Sequence, residues 1–216
     1  MKQFLENKLK GIIKIEKIEG EASRREFYRI FLDSGTVVAM AYPEENRDEI
    51  EKVINFTNLY AKHKIRVPDI IDVIDNCVVL QEDLGNQLFQ NFFSRLGLEQ
   101  KKRVLESIAE ILSRIRSIPV NQTNSTLDHK RMKWEMDFFL SNFVEKLYHP
   151  HKSIQVLTDE VHGLVDDIQT KPTFAHRDFH TRNMLVCREE IYLVDIQDSL
   201  IGPEYYDLVS FAFDSY

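Results

Sequence analysis

The stretch Thr173-Phe-Ala-His-Arg-Asp-Phe-His-Thr-Arg-Asn-Met-Leu-Val-Cys187 decides the fold, together with Ile191-Tyr-Leu-Val-Asp-Ile-Gln-Asp198 that follows it. A polar loop precedes the first of two short apolar runs, a charged turn joins the runs, and Asp195 ends the second. Two short apolar runs around a turn are typical of paired β-strands. The pattern therefore predicts a hairpin that carries the polar loop on one arm and Asp195 on the other.

This loop and hairpin contain the groups that phosphoryl transfer needs. The acceptor hydroxyl must be aligned and must lose a proton to a base, and the triphosphate must be neutralised by magnesium, which takes oxygen ligands. Asp178 and Asn183 lie on one loop, so one can meet the acceptor and the other the metal, while Asp195 brings a second oxygen to the metal. These residues predict a kinase.

The sequence before this stretch changes in character along its length. Residues 1–42 are predicted to form strands, with a hairpin turn at Asp33-Ser-Gly35. A helix over 46–63 and strands over 69–74 and 77–81 follow, and amphipathic helices are then predicted over 99–118, 128–147 and 153–168. For three aromatic residues of the second of these helices, Trp134, Phe138 and Phe139, we expect core packing, and the alternative is a wall on which a sugar ring stacks while Glu135 bonds to its hydroxyls. The order predicts an α+β fold with a sheet-rich lobe over residues 1–82 and a helical lobe over residues 83–216.

Composition and charge exclude several classes of protein. The chain has 216 residues and a formal net charge of −7, whereas a nucleic-acid-binding surface needs a basic stripe. Two cysteines cannot build a disulfide framework and fit a reducing cytosol. The N-terminus has no apolar core of a signal peptide, and no apolar run approaches the roughly 18 residues of a membrane span. We therefore expect a cytoplasmic protein without nucleic-acid or membrane partners.

Several motifs resemble one family of kinases. His176-Arg-Asp-x-x-x-x-Asn183, followed by a strand that ends in aspartate, resembles the catalytic core of eukaryotic-like kinases. The segment Asp195-x-Gln-Asp-x-x-x-Gly-Pro-x-x-Tyr-Asp-Leu-x-Ser210 resembles the aminoglycoside phosphotransferase and choline kinase superfamily, and within it the bacterial N-acetylmuramate/N-acetylglucosamine anomeric kinases. Their nucleotide loop is similar to Gly20-Glu-Ala-Ser-Arg-Arg25, and their lobe connection is similar to Gln81-Glu-Asp-Leu-Gly85. The resemblance implies a two-lobed, protein-kinase-like fold.

The resemblance also implies a role for each matched residue. Asp178 is the catalytic base, Asn183 and Asp195 bind Mg²⁺, and His176 and Asp207 support the catalytic loop. The phosphates of ATP or another nucleoside triphosphate are contacted by the nucleotide loop through Gly20, Ser23, Arg24 and Arg25. The adenine edge is bound by the backbone of Glu82, Asp83 and Leu84. Candidate contacts to a small-molecule hydroxyl acceptor are His180, Arg182, Asp198 and Glu135.

The sequence departs from this family at two places. The third strand, Val38-Ala-Met-Ala-Tyr42, lacks the lysine that kinases usually direct at the α- and β-phosphates, although the amino-sugar kinases also tend to carry methionine there. We expect the positive charge to come from Arg24, Arg25 or Arg29. The sequence ends at Tyr216, where relatives continue into further helices that help to enclose the acceptor, so we expect those C-terminal helices to be missing.

Alternative functions remain open at this point. The favoured acceptor is the anomeric hydroxyl of an N-acetylated amino sugar, and aminoglycosides, choline and other small alcohols are alternatives. A kinase-like module that binds nucleotide with little turnover is a second class of function. A zinc site of His176, Asp178 and His180 is a third, but it leaves Asn183 and Asp195 without a role.

Overall fold

The structure is a computed structural model of the whole chain. The residues that it describes are 1–19, 25–42, 46–148, 154–168 and 170–214. Of the residues proposed to contact the nucleotide, three lie outside these ranges: Gly20, Ser23 and Arg24.

An antiparallel five-stranded sheet forms the N-terminal part of the chain. Its strands are β1 (Ile12–Ile18), β2 (Glu26–Leu32), β3 (Gly35–Ala41), β4 (Ile70–Ile74) and β5 (Val78–Glu82), and their spatial order is β1-β2-β3-β5-β4. The β2–β3 hairpin turns at the predicted position, where Gly35 adopts a φ of 138° that other residues rarely reach. The strands agree with the β-branched and aromatic runs in the sequence.

Helix α2 (Arg47–Lys62) covers one face of this sheet. The side chain of Asn46 accepts a hydrogen bond from the backbone of Glu49 and so caps the first turn. The helix buries Ile50 and Val53 against a patch of the sheet that includes Met40. The prediction of a helix over 46–63 is confirmed.

The opposite face of the sheet is covered by a helix that the sequence analysis missed. Helix α1 (Lys2–Lys8) lies where strands were predicted, so that prediction is wrong for these residues. Leu5 is fully buried in a cluster with Ile30 and Ala39, and Phe4 and Leu9 pack at its edge. Apolar residues four positions apart share one helical face, which a search for alternating strands does not detect.

The second part of the chain is mainly helical. Its helices are α3 (Phe89–Phe93), α4 (Leu98–Arg116), α5 (His129–Phe139), α6 (Ile154–Asp166) and α7 (Tyr206–Ala212). Helix α4 buries Ile108, Leu112 and Ile115, as its sequence pattern predicts. Instead of continuing to residue 147 as an α-helix, α5 passes into π-helical turns over Leu140–Tyr148. The predicted α+β, protein-kinase-like class with a sheet lobe and a helical lobe is confirmed.

Three aromatic residues of α5 are not where the sequence analysis expected them. The prediction that Trp134, Phe138 and Phe139 form core is wrong, because their exposed fractions are 63%, 59% and 48%. On α5 these three side chains stay exposed, because the described residues around them do not bury them. None of the helices in the described ranges combines the length and the apolar character that crossing a membrane requires.

Two small two-stranded sheets position the polar loop of the decisive stretch. Strand β6 (Pro172–Ala175) pairs with β9 (Leu200–Pro203), and β7 (Met184–Cys187) pairs with β8 (Glu190–Leu193). A buried hydrogen bond of 2.8 Å between the hydroxyls of Tyr60 and Ser199 ties α2 to the turn that precedes β9. The loop 176–183 therefore begins and ends on paired strands, and α2 links it to the N-terminal sheet.

Candidate active site

The loop between β6 and β7 brings Asp178 and Asn183 together. The side-chain amide of Asn183 donates a hydrogen bond of 3.0 Å from Nδ2 to the backbone carbonyl of Asp178. The backbone carbonyl of Asn183 accepts another of 3.0 Å from Val194, directly before Asp195. Because Nδ2 is engaged with the loop, Oδ1 of Asn183 remains as an oxygen ligand. The three residues proposed for catalysis and metal binding thus lie on one hydrogen-bonded unit.

Asp207 holds the start of this loop. Its two carboxylate oxygens accept hydrogen bonds from the backbone N–H groups of His176 (2.7 Å) and Arg177 (3.0 Å). Burial raises the pKa of Asp207 to about 6, although both hydrogen bonds act in the opposite direction. Arg177 adopts a positive φ of 81°, which is uncommon for an arginine. Asp207 therefore fixes a strained turn directly before Asp178.

We expect Asp207→Asn to destabilise the fold. An asparagine has one acceptor oxygen, so one of the two buried N–H groups would lose its partner, at a cost of about 1–3 kcal/mol in the free energy of unfolding. Urea denaturation of the two proteins measures this difference. Asp167→Asn is the matched control, because Asp167 is exposed near the end of α6. Equal stability of the Asp207 variant and wild type would contradict this role.

The His176 ring is part of the core. It is fully buried, with edge contacts at centroid distances of 6.1 Å to Tyr60 and 6.0 Å to Phe179. Burial lowers its pKa to about 4, so the ring is neutral near pH 7. Within the part of the chain that the structure describes, no group of three or more His, Cys, Asp or Glu side chains is placed to hold a metal ion. These observations count against the zinc alternative and favour a structural role for His176.

Asp178 carries a carboxylate that is more basic than usual. Burial raises its pKa, the positive charge of Arg177 lowers it, and the negative charges of Asp195 and Asp198 raise it further. A raised pKa improves a carboxylate as a proton acceptor as long as it remains ionised at the working pH. The position of Asp178 therefore suits a general base.

Asp195 lies at a turn, and its carboxylate accepts hydrogen bonds from two side chains. It has left-handed backbone angles (φ 61°, ψ 41°) at the end of the second apolar run. Its Oδ1 accepts hydrogen bonds from Nε2 of Gln197 (2.6 Å) and from the guanidinium of Arg25 (2.8 Å). Burial raises the pKa of Asp195, but these two partners outweigh it and the net shift is downward. Asp195 is thus ionised, and Oδ2 together with Oδ1 of Asn183 offers the hard oxygen ligands that suit Mg²⁺.

The residues proposed for the adenine edge lie at the end of β5. The backbone N–H of Glu82 donates to Asp69, so this group is not available to a base. The Asp83 carboxylate receives two hydrogen bonds from Arg29, of 2.7 and 2.9 Å, and Leu84 is buried. The Asp83 side chain therefore anchors β2 to the segment that joins the two lobes. The proposed adenine contacts must come from backbone atoms of this segment other than the N–H of Glu82.

The structure brings together only some of the residues proposed to contact the acceptor. Glu135 accepts a hydrogen bond of 3.3 Å from Arg131 and lies 3.6 Å from the guanidinium of Arg177, beside the catalytic loop. His180 lies 3.4 Å from Nδ2 of Asn183 through its Nε2 atom. Arg182 lies in the short turn before β7. Asp198 is exposed, and it shares with Asp195 a hydrogen-bond donor, the side-chain amide of Gln197.

Two residues near the site were not predicted from the sequence. Arg177 was quoted only as part of a motif, yet its charge acts on both Asp178 and Glu135. The hydroxyl of Tyr42 is buried close to Arg25, and it makes no hydrogen bond of acceptable geometry with the residues that the structure describes. The only available signal for Tyr42 was its spacing of two from Met40, which puts both on one face of β3 and its extension.

Comparison with known proteins shows the family to which the chain belongs. The family model described as "Phosphotransferase enzyme family" matches residues 14–216. The chain is similar to an N-acetylmuramate/N-acetylglucosamine kinase of Neisseria meningitidis serogroup B, at 28% identity over 205 residues. The match covers 89% of this chain but only 59% of that relative, so the chain spans less than two thirds of its length.

Solved structures of aminoglycoside phosphotransferases share the fold. ADP-bound APH(2'')-Ib superposes with a TM-score of 0.71 at 14% identity, over 96% of this chain and 73% of that one. A ternary complex of APH(2")-IIa with streptomycin and ATP gives a TM-score of 0.71 at 15% identity, over 96% and 74% of the two chains. At such low identity the likeness is one of fold, and it confirms the kinase-like architecture.

Proposed function

Because the chain belongs to the phosphotransferase enzyme family, we propose that it transfers the γ-phosphate of ATP to a hydroxyl of a small molecule. The observation that carries this proposal is the convergence of Asp178, Asn183 and Asp195 on one loop and hairpin. A base next to two oxygen ligands is the arrangement that phosphoryl transfer requires.

In the proposed mechanism, each residue has one task. The Asp178 carboxylate aligns the acceptor hydroxyl and takes its proton as the oxygen bonds to the γ-phosphorus, while the bond from that phosphorus to the β–γ bridging oxygen breaks and ADP leaves. Asn183 Oδ1 and the Asp195 carboxylate would hold Mg²⁺, which would neutralise charge on the phosphates when bound. Asp207 keeps the loop in place through the N–H groups of His176 and Arg177.

We propose an N-acetylated amino sugar as the acceptor. The relative from Neisseria carries the name of an N-acetylmuramate/N-acetylglucosamine kinase. At Glu135, a proposed acceptor contact, the charges also favour a neutral or anionic acceptor over a polycation, since two arginines, Arg131 and Arg177, lie against its single carboxylate. A polycationic aminoglycoside would approach two positive charges here, whereas the lactyl carboxylate or hydroxyls of an amino sugar would find donors.

The anomeric hydroxyl is the proposed site of phosphorylation. It is more acidic than an ordinary alcohol, so a carboxylate can assist its deprotonation late in a loose transition state. The partial burial of Asp178 and its raised pKa are in keeping with this task.

Phosphorus NMR of the reaction with Mg·ATP tests the acceptor. We expect N-acetylglucosamine or N-acetylmuramate to give a sugar 1-phosphate signal together with ADP. The methyl glycoside of each sugar is the control, because its anomeric oxygen is blocked while the remaining hydroxyls are unchanged. A product from the methyl glycoside, or a 6-phosphate, would contradict the proposed position. Nucleotide binding without any product would favour the alternative of a kinase-like binding module.

A further inference from the structure

The third strand carries Met40 where kinases usually direct a lysine at the phosphates. We propose that Arg25 supplies this charge, and that it alternates between Asp195 before nucleotide binding and the nucleotide phosphates once Mg²⁺ occupies Asp195. The inference rests on the proposed function, selects Arg25 among the arginines that the sequence offered, and adds a metal-coupled exchange.

The register of the sheet brings Arg25 to the position of the missing lysine. Phe27 of β2 lies directly opposite Met40 of β3. Residues two apart in a strand share a face, so Arg25, which directly precedes β2, lies on the same face as Phe27 and Met40. This is the face that packs on α2, and Tyr42 lies on it as well.

The contacts of the Arg25 side chain direct its charge into the site. One guanidinium nitrogen lies 3.9 Å from the sulfur of Met40, and another donates to Oδ1 of Asp195 at 2.8 Å. The guanidinium also lies 6.0 Å from the ring centroid of Phe27. The side chain is only 17% exposed, so its position is set by these neighbours and not by solvent. The guanidinium of Arg25 therefore extends past Met40, the residue that stands where kinases usually have the lysine, and reaches Asp195.

Other cations near the site are engaged elsewhere. Arg29 makes a two-pronged contact with Asp83 and a further hydrogen bond of 3.1 Å to the carbonyl of Gly85. Lys52 of α2 pairs with Glu49 on its own helix at 2.5 Å. Of the arginines that the sequence offered for this task and the structure describes, Arg25 is the one that reaches a proposed metal ligand.

The exchange follows from competition for one carboxylate. Oδ1 of Asp195 already accepts hydrogen bonds from both Gln197 and Arg25. A divalent cation on the same carboxylate repels the guanidinium and removes much of its attraction to Asp195. Phosphate oxygens, which a guanidinium can hold two at a time, then become its better partners.

Binding measurements on Arg25→Ala separate this role from a structural ion pair. We expect its affinity for Mg·ADP to fall about tenfold or more, the range of a charge-assisted hydrogen bond, and its affinity for adenosine to change less than twofold. Without nucleotide, Mn²⁺ alone should bind more tightly to Arg25→Ala than to wild type, because Asp195 no longer has a competing cation. Calorimetry gives the nucleotide affinities and electron paramagnetic resonance gives free Mn²⁺. Arg47→Ala, which removes an exposed arginine paired with Glu51, is the matched control.

A second variant tests whether the charge belongs at the position of the lysine. In the Arg25→Ala background, Met40→Lys should recover at least part of the Mg·ADP affinity. If the double variant melts like wild type but recovers none of the Mg·ADP affinity, the proposal that Arg25 takes the place of the lysine is overturned.

Equal losses for ADP and adenosine in Arg25→Ala, or unchanged Mn²⁺ affinity, would also overturn the inference. These results differ from a failure of the proposed function, in which wild type itself would bind no adenine nucleotide.

Discussion

Asp178→Asn is expected to lower turnover by about 10²-fold or more, the usual scale for removing a positioned base. Asparagine keeps the size of the side chain but cannot accept the proton of the acceptor hydroxyl. The loop should survive, because Asn183 bonds to the backbone carbonyl of Asp178 and not to its side chain. Nucleotide affinity should therefore stay close to that of wild type.

Steady-state kinetics at saturating substrate, together with calorimetric binding of Mg·ADP, measure the two effects separately. Asp72→Asn is a suitable control, because Asp72 is an exposed residue of β4 in the sheet. Because the base must be ionised, the wild-type rate should also fall at low pH, with a midpoint above the usual pKa of an aspartate, since burial raises the pKa of Asp178. Wild-type turnover by Asp178→Asn would exclude Asp178 as the base.

Asn183→Ala and Asp195→Ala are expected to remove most of the gain in nucleotide affinity that Mg²⁺ provides. Each deletes one oxygen ligand, and changes to residues that merely support metal ligands already cost about 10–100-fold in metal affinity. Titration of ATP with and without Mg²⁺ isolates this effect from general damage to the site.

Asp195→Ala also removes the carboxylate with which Arg25 pairs, so metal-free ATP should bind to this variant no worse than to wild type. Asn183→Ala lacks this compensation and serves as the comparison within the same site. Losses of equal size with and without Mg²⁺ in both variants would contradict a metal-binding role.

The proximity of the three residues proposed for catalysis and metal binding was predictable because they are close in sequence. Asp178, Asn183 and Asp195 lie within one loop and one hairpin, and the local pattern of apolar runs and turn residues sets their positions. The amphipathic pattern of α4 and the hairpin turn at Gly35 were predictable for the same reason, since helix and strand periodicities are local.

Contacts between distant segments were not predictable from one sequence. Arg25 and Asp195 are 170 residues apart, and Arg29 and Asp83 are 54 residues apart. The sequence offered three arginines for one missing lysine, and of the two that the structure describes, Arg25 reaches Asp195 whereas Arg29 pairs with Asp83. Helix α1 was missed because its few apolar residues gain a core partner only when the sheet lies beneath them.

Acceptor-dependent ADP release is the measurement that tests the central claim most directly. The wild-type chain is incubated with Mg·ATP and, in turn, with N-acetylated amino sugars, aminoglycosides and choline, while ADP is followed over time. The account predicts that ADP forms faster with an N-acetylated amino sugar than without acceptor, and that Asp178→Asn abolishes this increase. A folded wild-type chain that binds Mg·ATP but releases ADP at the same rate with and without every acceptor would contradict it.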